Sequence, residues 1–149
     1  MPASDMIPQV ILTSQYMAQA SVTTQSPQQV MQQAANESHM ITPDLHMNVS
    51  AESFPNDRHV VSLHTVLTMG DPLQPCYRLD MVYKGEFHIT NTTKAQNPWV
   101  LYVQCPHLLF PEVRHCIMMW TQQAGLAPVC IQPLAFAQMF QKRLEETQS

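Results

Sequence analysis

Glycine is scarce in this sequence, three residues in 149. A loop that cradles phosphates needs several glycines close together, so nucleotide chemistry of that kind is excluded. Charge is also scarce, at 12% of residues with a formal net charge of −4. A nucleic-acid binder normally carries a basic patch against phosphate, and this balance argues against one. No apolar run reaches the roughly 18 residues of a membrane span, so no transmembrane helix and no direct membrane insertion are expected. The start, MPASDMIPQVILTSQ, lacks a basic region and has only a short apolar run, which does not read as a secretory signal. Cys76, Cys105, Cys116 and Cys130 are not spaced like a secreted disulfide framework. The expectation is a cytoplasmic chain with reduced thiols, in which the N-x-[ST] matches at Asn36, Asn48 and Asn91 are chance.

What is present is apolar content, 45% of residues, enough to fold one domain over 1–149 around one core. The core is expected over about 16–144, with 1–8 and 145–149 as mobile tails. The first two-thirds alternate with period 2. In VILTSQYMAQASV the even positions Val10, Leu12, Tyr16, Ala18, Ala20 and Val22 are apolar. Leu45, Met47 and Val49 alternate with polar residues, and Val61, Leu63, Leu67 and Met69 share a face. Tyr77, Leu79, Met81, Tyr83, Phe87 and Ile89 share another, opposite Arg78, Asp80, Lys84, Glu86 and His88. Four half-buried strands of this kind form an antiparallel sheet with one solvated face. Turns are expected at 53–58 and 69–75. The Gln-rich segment 24–42 is too long for a hairpin; it crosses the sheet or is mobile.

Beyond Thr92 the period becomes 3.6. Leu109, Val113, Cys116, Ile117 and Trp120 mark a helix with Pro111 in its first turn and Gly125 at its end. A Pro-punctuated connector, 126–133, leads to a terminal helix with Leu134, Ala137, Phe140 and Leu144 on one face. The fold class is α+β: a four-stranded antiparallel sheet, a Pro-kinked helix and a C-terminal helix.

The stretch CPHLLFPEVRHC (105–116) raises three readings. Zinc would use Cys105, His107, His115 and Cys116, but C-x-H and adjacent H-C are poor substitutes for the spaced pairs of structural sites. A thiol nucleophile needs a histidine and an orienting group nearby, and buried cysteine is usually inert packing. The third reading is architectural: Pro106 and Pro111 interrupt a helical path and force a bend filled by Leu108, Leu109 and Phe110.

The residues Cys105, Pro106, Leu109, Phe110, Pro111 and Arg114 follow the order C-P-x-x-L-F-P-x-x-R, which resembles the signature of the SecB family of bacterial export chaperones. The likeness continues through Leu126-Ala127-Pro128-Val129 and PLAFAQMF, and upstream through Tyr16, Ser21, PDLHMNV, RHVVSLHTV and KGEFHI. It implies a homotetramer, a dimer of dimers, that holds unfolded preproteins in hydrophobic grooves and delivers them to the translocation ATPase SecA. It implies no catalysis, no cofactor and no bound ATP. The expected groove residues are Tyr83, Phe87, Phe110, Trp120, Val129, Ile131, Phe136, Met139 and Phe140. The expected SecA-facing residues are Gln19, Thr23, Arg78 and Asp80. Only Asp80 keeps a carboxylate among these four, so a weakened SecA contact is expected. Alternatives are a SecB-like chaperone of a toxin–antitoxin module, a general holdase without SecA docking, or a zinc or thiol enzyme.

Overall fold

The computed structural model describes residues 7–29, 32, 43–70, 75–126, 129–132 and 135–148. Four long strands come first: β1 (Gln9–Thr24), β2 (Pro43–Phe54), β3 (Arg58–Gly70) and β4 (Pro75–Thr90). They form one antiparallel sheet in the order β1-β4-β3-β2. β1 and β2 are therefore the two edges, and the segment between them carries the chain from one edge to the other. Most of that segment lies outside the described residues, as do 71–74 of the expected second turn, the first six tail residues and Leu134. Its first turn is helical at 27–29. Ser26 and Gln29 cap it reciprocally, with each side chain taking a hydrogen bond from the other's backbone N–H.

On β3 and β4 the alternation reads as expected. Val61, Leu63, Leu67 and Met69, with Tyr77, Leu79, Met81, Tyr83, Phe87 and Ile89, are buried on the face toward the helices. The first turn is a three-residue loop, Pro55 to Asp57, whose Asn56 and Asp57 have φ of 66° and 61°. Asn and Asp tolerate this left-handed region better than other non-glycine residues, which suits them to the turn.

β1 departs from the simple alternation. Its pairing with β4 slips between Leu12 and Ser14 and again between Met17 and Gln19. Each slip is a β-bulge that inserts one residue and flips the phase. Met17 therefore lies opposite Tyr83 on the helix side, while Tyr16 lies opposite Lys84 on the solvated side. Tyr16 is thus a correction to the expected apolar row, and the second bulge restores the phase for Ala20 and Val22.

The helical part begins earlier than Pro111. A short helix α1 (Asn97–Trp99) runs into a π-helical segment (Val100–Gln104), then into α2 (Cys105–Gln123). Pro98 and Pro106 occupy the first positions of α1 and α2, where a missing N–H is tolerated. Pro111 lies inside α2 and cannot donate to the His107 carbonyl. Pro111 thus removes one hydrogen bond without dividing the helix, and the helical path runs unbroken from the π segment through α2. Cys105, Leu109, Val113, Ile117 and Thr121 form the buried stripe of α2 on the sheet. Close approach at Leu109 depends on Gly85, where a Cβ would stand 2.5 Å from Leu109 Cδ2.

Gly125 (φ 83°) ends α2 as expected. Its N–H reaches the Gln122 carbonyl at 3.0 Å and that of Leu126 the Thr121 carbonyl at 3.1 Å, the paired bonds of a Schellman cap. The last helix, α3 (Phe136–Gln148), buries Phe136 and half-buries Ala137, Met139 and Phe140, whereas Leu144 is exposed rather than on the packed face.

Candidate functional site

Aromatic side chains from three segments meet along α3. Phe140 packs edge-on against Trp99, with centroids 6.1 Å apart, and stacks on Tyr102 at 6.0 Å. Phe136 packs edge-on against Phe110 at 5.9 Å. Tyr102 leaves the π segment half-buried against the core and stacks on α3 from there.

This array leaves two clefts beside α3. One, of about 490 Å³, lies between β2 (Met47, Asn48, Val49) and α3 (Met139, Phe140, Lys142, Arg143, Glu146), with Tyr102 at its base. The other, of about 590 Å³, is bounded by Val10, by Trp99, Val103, Gln104, His107 and Leu108, and by the start of α3 at Ala135, Phe136 and Ala137. Trp99 and Leu108 are exposed there. Both volumes fall in the range of ligand-binding clefts, roughly 300–1,000 Å³. The pairing of an edge strand, apolar walls and aromatic rings suits an extended polypeptide better than a compact polar ligand.

Three of the nine expected groove residues line these clefts: Phe136, Met139 and Phe140. Phe87 is fully buried between sheet and α2, and Tyr83 and Phe110 are nearly so. Within the subunit these three are core, because the close approach at Gly85 seals that side. The Tyr83 hydroxyl donates to Gln15 at 3.1 Å. Trp120, Val129 and Ile131 are half-buried against the core. The connector carrying the last two is tied to α2: the Val129 N–H donates to the hydroxyl of buried Thr121 at 3.0 Å, and Cys130 Sγ lies 3.6 Å from Met118 Sδ. Trp99, Tyr102, Leu108 and Met47 belong to the cleft walls and were not expected there. The Asn97-Pro98 pair is a helix-start signal that would have placed the first two on a helix.

The opposite face of the sheet gathers the other expected group. Thr23 lies opposite Arg78, Ser21 opposite Asp80, and Gln19 opposite Val82, all on the solvated side. The Asp80 carboxylate is shared, with His64 Nε2 at 2.8 Å and Arg78 at 3.4 Å. Further along, Arg58 donates to Glu86 at 2.7 Å, and that hydrogen bond holds the Glu86 carboxyl below its ordinary pKa.

The stretch 105–116 does not assemble a chemical site. Cys105 is buried and His107 and His115 are exposed on α2, so the four zinc donors do not converge, and no cluster of metal-binding type occurs among the described residues. Burial pushes the Cys105 thiol up to about 12, and burial followed by the Glu112 charge raises Cys116. Both thiols are held in the un-ionised form, the reverse of what a nucleophile needs. Among the described residues no helix is long and apolar enough to cross a membrane.

Comparison with known proteins agrees with this geometry. Residues 3–147 match the family described as preprotein translocase subunit SecB. The protein-export protein SecB of Bartonella quintana (strain Toulouse) is 33% identical over 105 residues, spanning 70% of this chain and 66% of that protein, just under two thirds of its length. The protein-export protein SecB of Rickettsia akari (strain Hartford) is 27% identical over 146 residues, 98% of this chain and 95% of that one. Among solved structures, a SecB-like chaperone of Mycobacterium tuberculosis, in complex with a ChAD peptide from the HigA1 antitoxin, superposes with a TM-score of 0.66. It is 14% identical and covers 84% of this chain and 90% of its own, a likeness of fold.

Proposed function

The chain belongs to the SecB family, and on that premise we propose that it is an ATP-independent chaperone that holds unfolded preproteins for export. The observation that carries the reading is the pair of aromatic-walled clefts along α3, one at its start and one further along, the latter bordered by the β2 edge. Such surfaces bind the unfolded state in preference to the folded one and retard folding by mass action. Phe136, Met139 and Phe140, joined by Trp99, Tyr102 and Met47, supply the apolar contacts. Val129 and Ile131 extend them along the connector.

The working form in this reading is a cytoplasmic homotetramer, a dimer of dimers. Ile11, Tyr16 and Val22 on edge strand β1 and Met119 on α2 are large apolar side chains left exposed by the single subunit, which supports burial between copies. The solvated sheet face with Gln19, Thr23, Arg78 and Asp80 is the surface offered to SecA. Its remaining carboxylate is already engaged by His64 and Arg78, which supports a weak contact.

The test is suppression of aggregation of a denatured model protein, followed by light scattering without ATP. Wild type is expected to suppress it at near-stoichiometric ratio, and Phe140→Ala to do so poorly while remaining folded. Unimpeded aggregation with the wild type would refute the reading.

A further inference from the structure

Arg143 on α3 makes a contact that the chaperone reading does not use. Its guanidinium donates to the Val49 carbonyl on β2 at 3.0 Å, across a separation of 94 positions. The same group lies over the Tyr102 ring, 4.7 Å from its centroid, and that ring stacks on Phe140. Arg143 therefore closes across the first cleft from one wall to the other, with Met47, Asn48 and Val49 on the far side. β2 is an edge of the sheet. An edge strand offers its backbone groups to any extended chain, including another copy of itself, and native proteins commonly blunt such edges with a charged side chain. A polypeptide adding to this edge would offer the Val49 carbonyl a backbone N–H, and the Arg143 guanidinium already takes that acceptor.

We propose that Arg143 is a displaceable cap on the β2 edge, which an extended polypeptide must move aside before its backbone pairs with the strand at Val49. The proposal rests on the chaperone reading. Arginine suits the task because its planar fork stacks on an aromatic ring while donating in plane, so the ring holds the cap in place. Arg143 lies at the surface, so water can solvate the guanidinium when it leaves the Val49 carbonyl. With the cap closed, β2 is shielded from sheet growth between copies. With it displaced, the cleft gains main-chain bonding in addition to its apolar walls.

The experiment measures binding of a fluorescein-labelled peptide of alternating leucine and threonine to the full chain by anisotropy. A second peptide of the same sequence is N-methylated at alternate backbone nitrogens. Arg143→Met keeps the apolar stem and removes the donor. It is expected to bind the unmodified peptide about 5- to 10-fold more tightly than wild type, the scale of one hydrogen bond released from competition. The N-methylated peptide is expected to gain nothing. Arg143→Lys keeps a donor without the planar stacking, and a smaller gain is expected. Circular dichroism checks that α3 is intact; if Arg143→Met loses it, Arg143→Lys carries the comparison. Unchanged or weaker binding of the unmodified peptide, or an equal gain for the N-methylated one, overturns the cap and leaves the chaperone reading standing. No binding of either peptide by wild type or variants overturns both.

Discussion

Replacing Thr121 with valine isolates one hydrogen bond that holds the connector. The Thr121 hydroxyl shares its one proton between the Ile117 and Met118 carbonyls, each at 3.0 Å, and accepts the Val129 N–H at 3.0 Å. The two carbonyls belong to α2 and retain their helical bonds in Thr121→Val. The Val129 N–H has no such alternative. Valine is nearly isosteric with threonine, so no cavity is opened and the loss is polar. An orphaned, partly buried donor costs about 1–3 kcal/mol, and half-burial of Val129 places this case near 1–2. For a chain of this size that lowers Tm by roughly 3–8 °C. Thr121→Ser keeps the hydroxyl and loses one methyl, about 0.8 kcal/mol. The two totals are close, so the decisive assay is local. Hydrogen exchange at the Val129 amide should accelerate in Thr121→Val and remain near wild type in Thr121→Ser. Equal protection of that amide in wild type and Thr121→Val would refute the reasoning, whatever happens to Tm.

Gly85→Ala places a methyl 2.5 Å from Leu109 Cδ2 and 2.9 Å from Phe87 Cε2, both on fully buried side chains. Overpacking of this kind is expected to cost about 1–3 kcal/mol in urea unfolding, and the double variant Gly85→Ala with Leu109→Ala should show non-additive losses. The Cys105 thiol is raised to about 12 in the folded chain against an ordinary 9.0, so below pH 9 both states are protonated and stability is unaffected. Above that the unfolded state ionises first, and stability should fall between about pH 9 and 12. Cys105→Ala should flatten that part of the alkaline decline, and an unchanged slope would sink the assignment. For SecA, Gln19→Asp with Thr23→Glu is expected to tighten binding several-fold at low salt and less at high salt, as exposed charge pairs worth about 0.2–1 kcal/mol each would do. Salt-independent tightening in surface plasmon resonance would argue against this surface.

Much of the architecture is legible along the chain because its causes are local. Alternation on β3 and β4 states which side chains face inward, since a strand's side chains alternate with period 2 whatever it pairs with. Gly125 marks the end of α2 because a left-handed residue is needed there and glycine supplies it without strain. The switch of period after Thr92 separates sheet from helices, and the length of the 24–42 segment excluded a hairpin while leaving a crossing or a mobile segment open. The remaining features have causes that are distant in sequence. The bulges in β1 follow from fitting it to β4, a strand far away along the chain, so no pattern in β1 alone assigns Tyr16 and Met17 to opposite faces. Pro111 reads as a helix start in isolation, yet the turns from Asn97 onward make it an interior residue. Phe87 and Phe140 look alike as aromatics on apolar faces; one is sealed by α2 resting on Gly85, and the other is left at a cleft by the position of α3. Periodicity states that a side chain turns away from water. Only the packing of separate elements decides whether it meets another part of the chain or remains open to a partner.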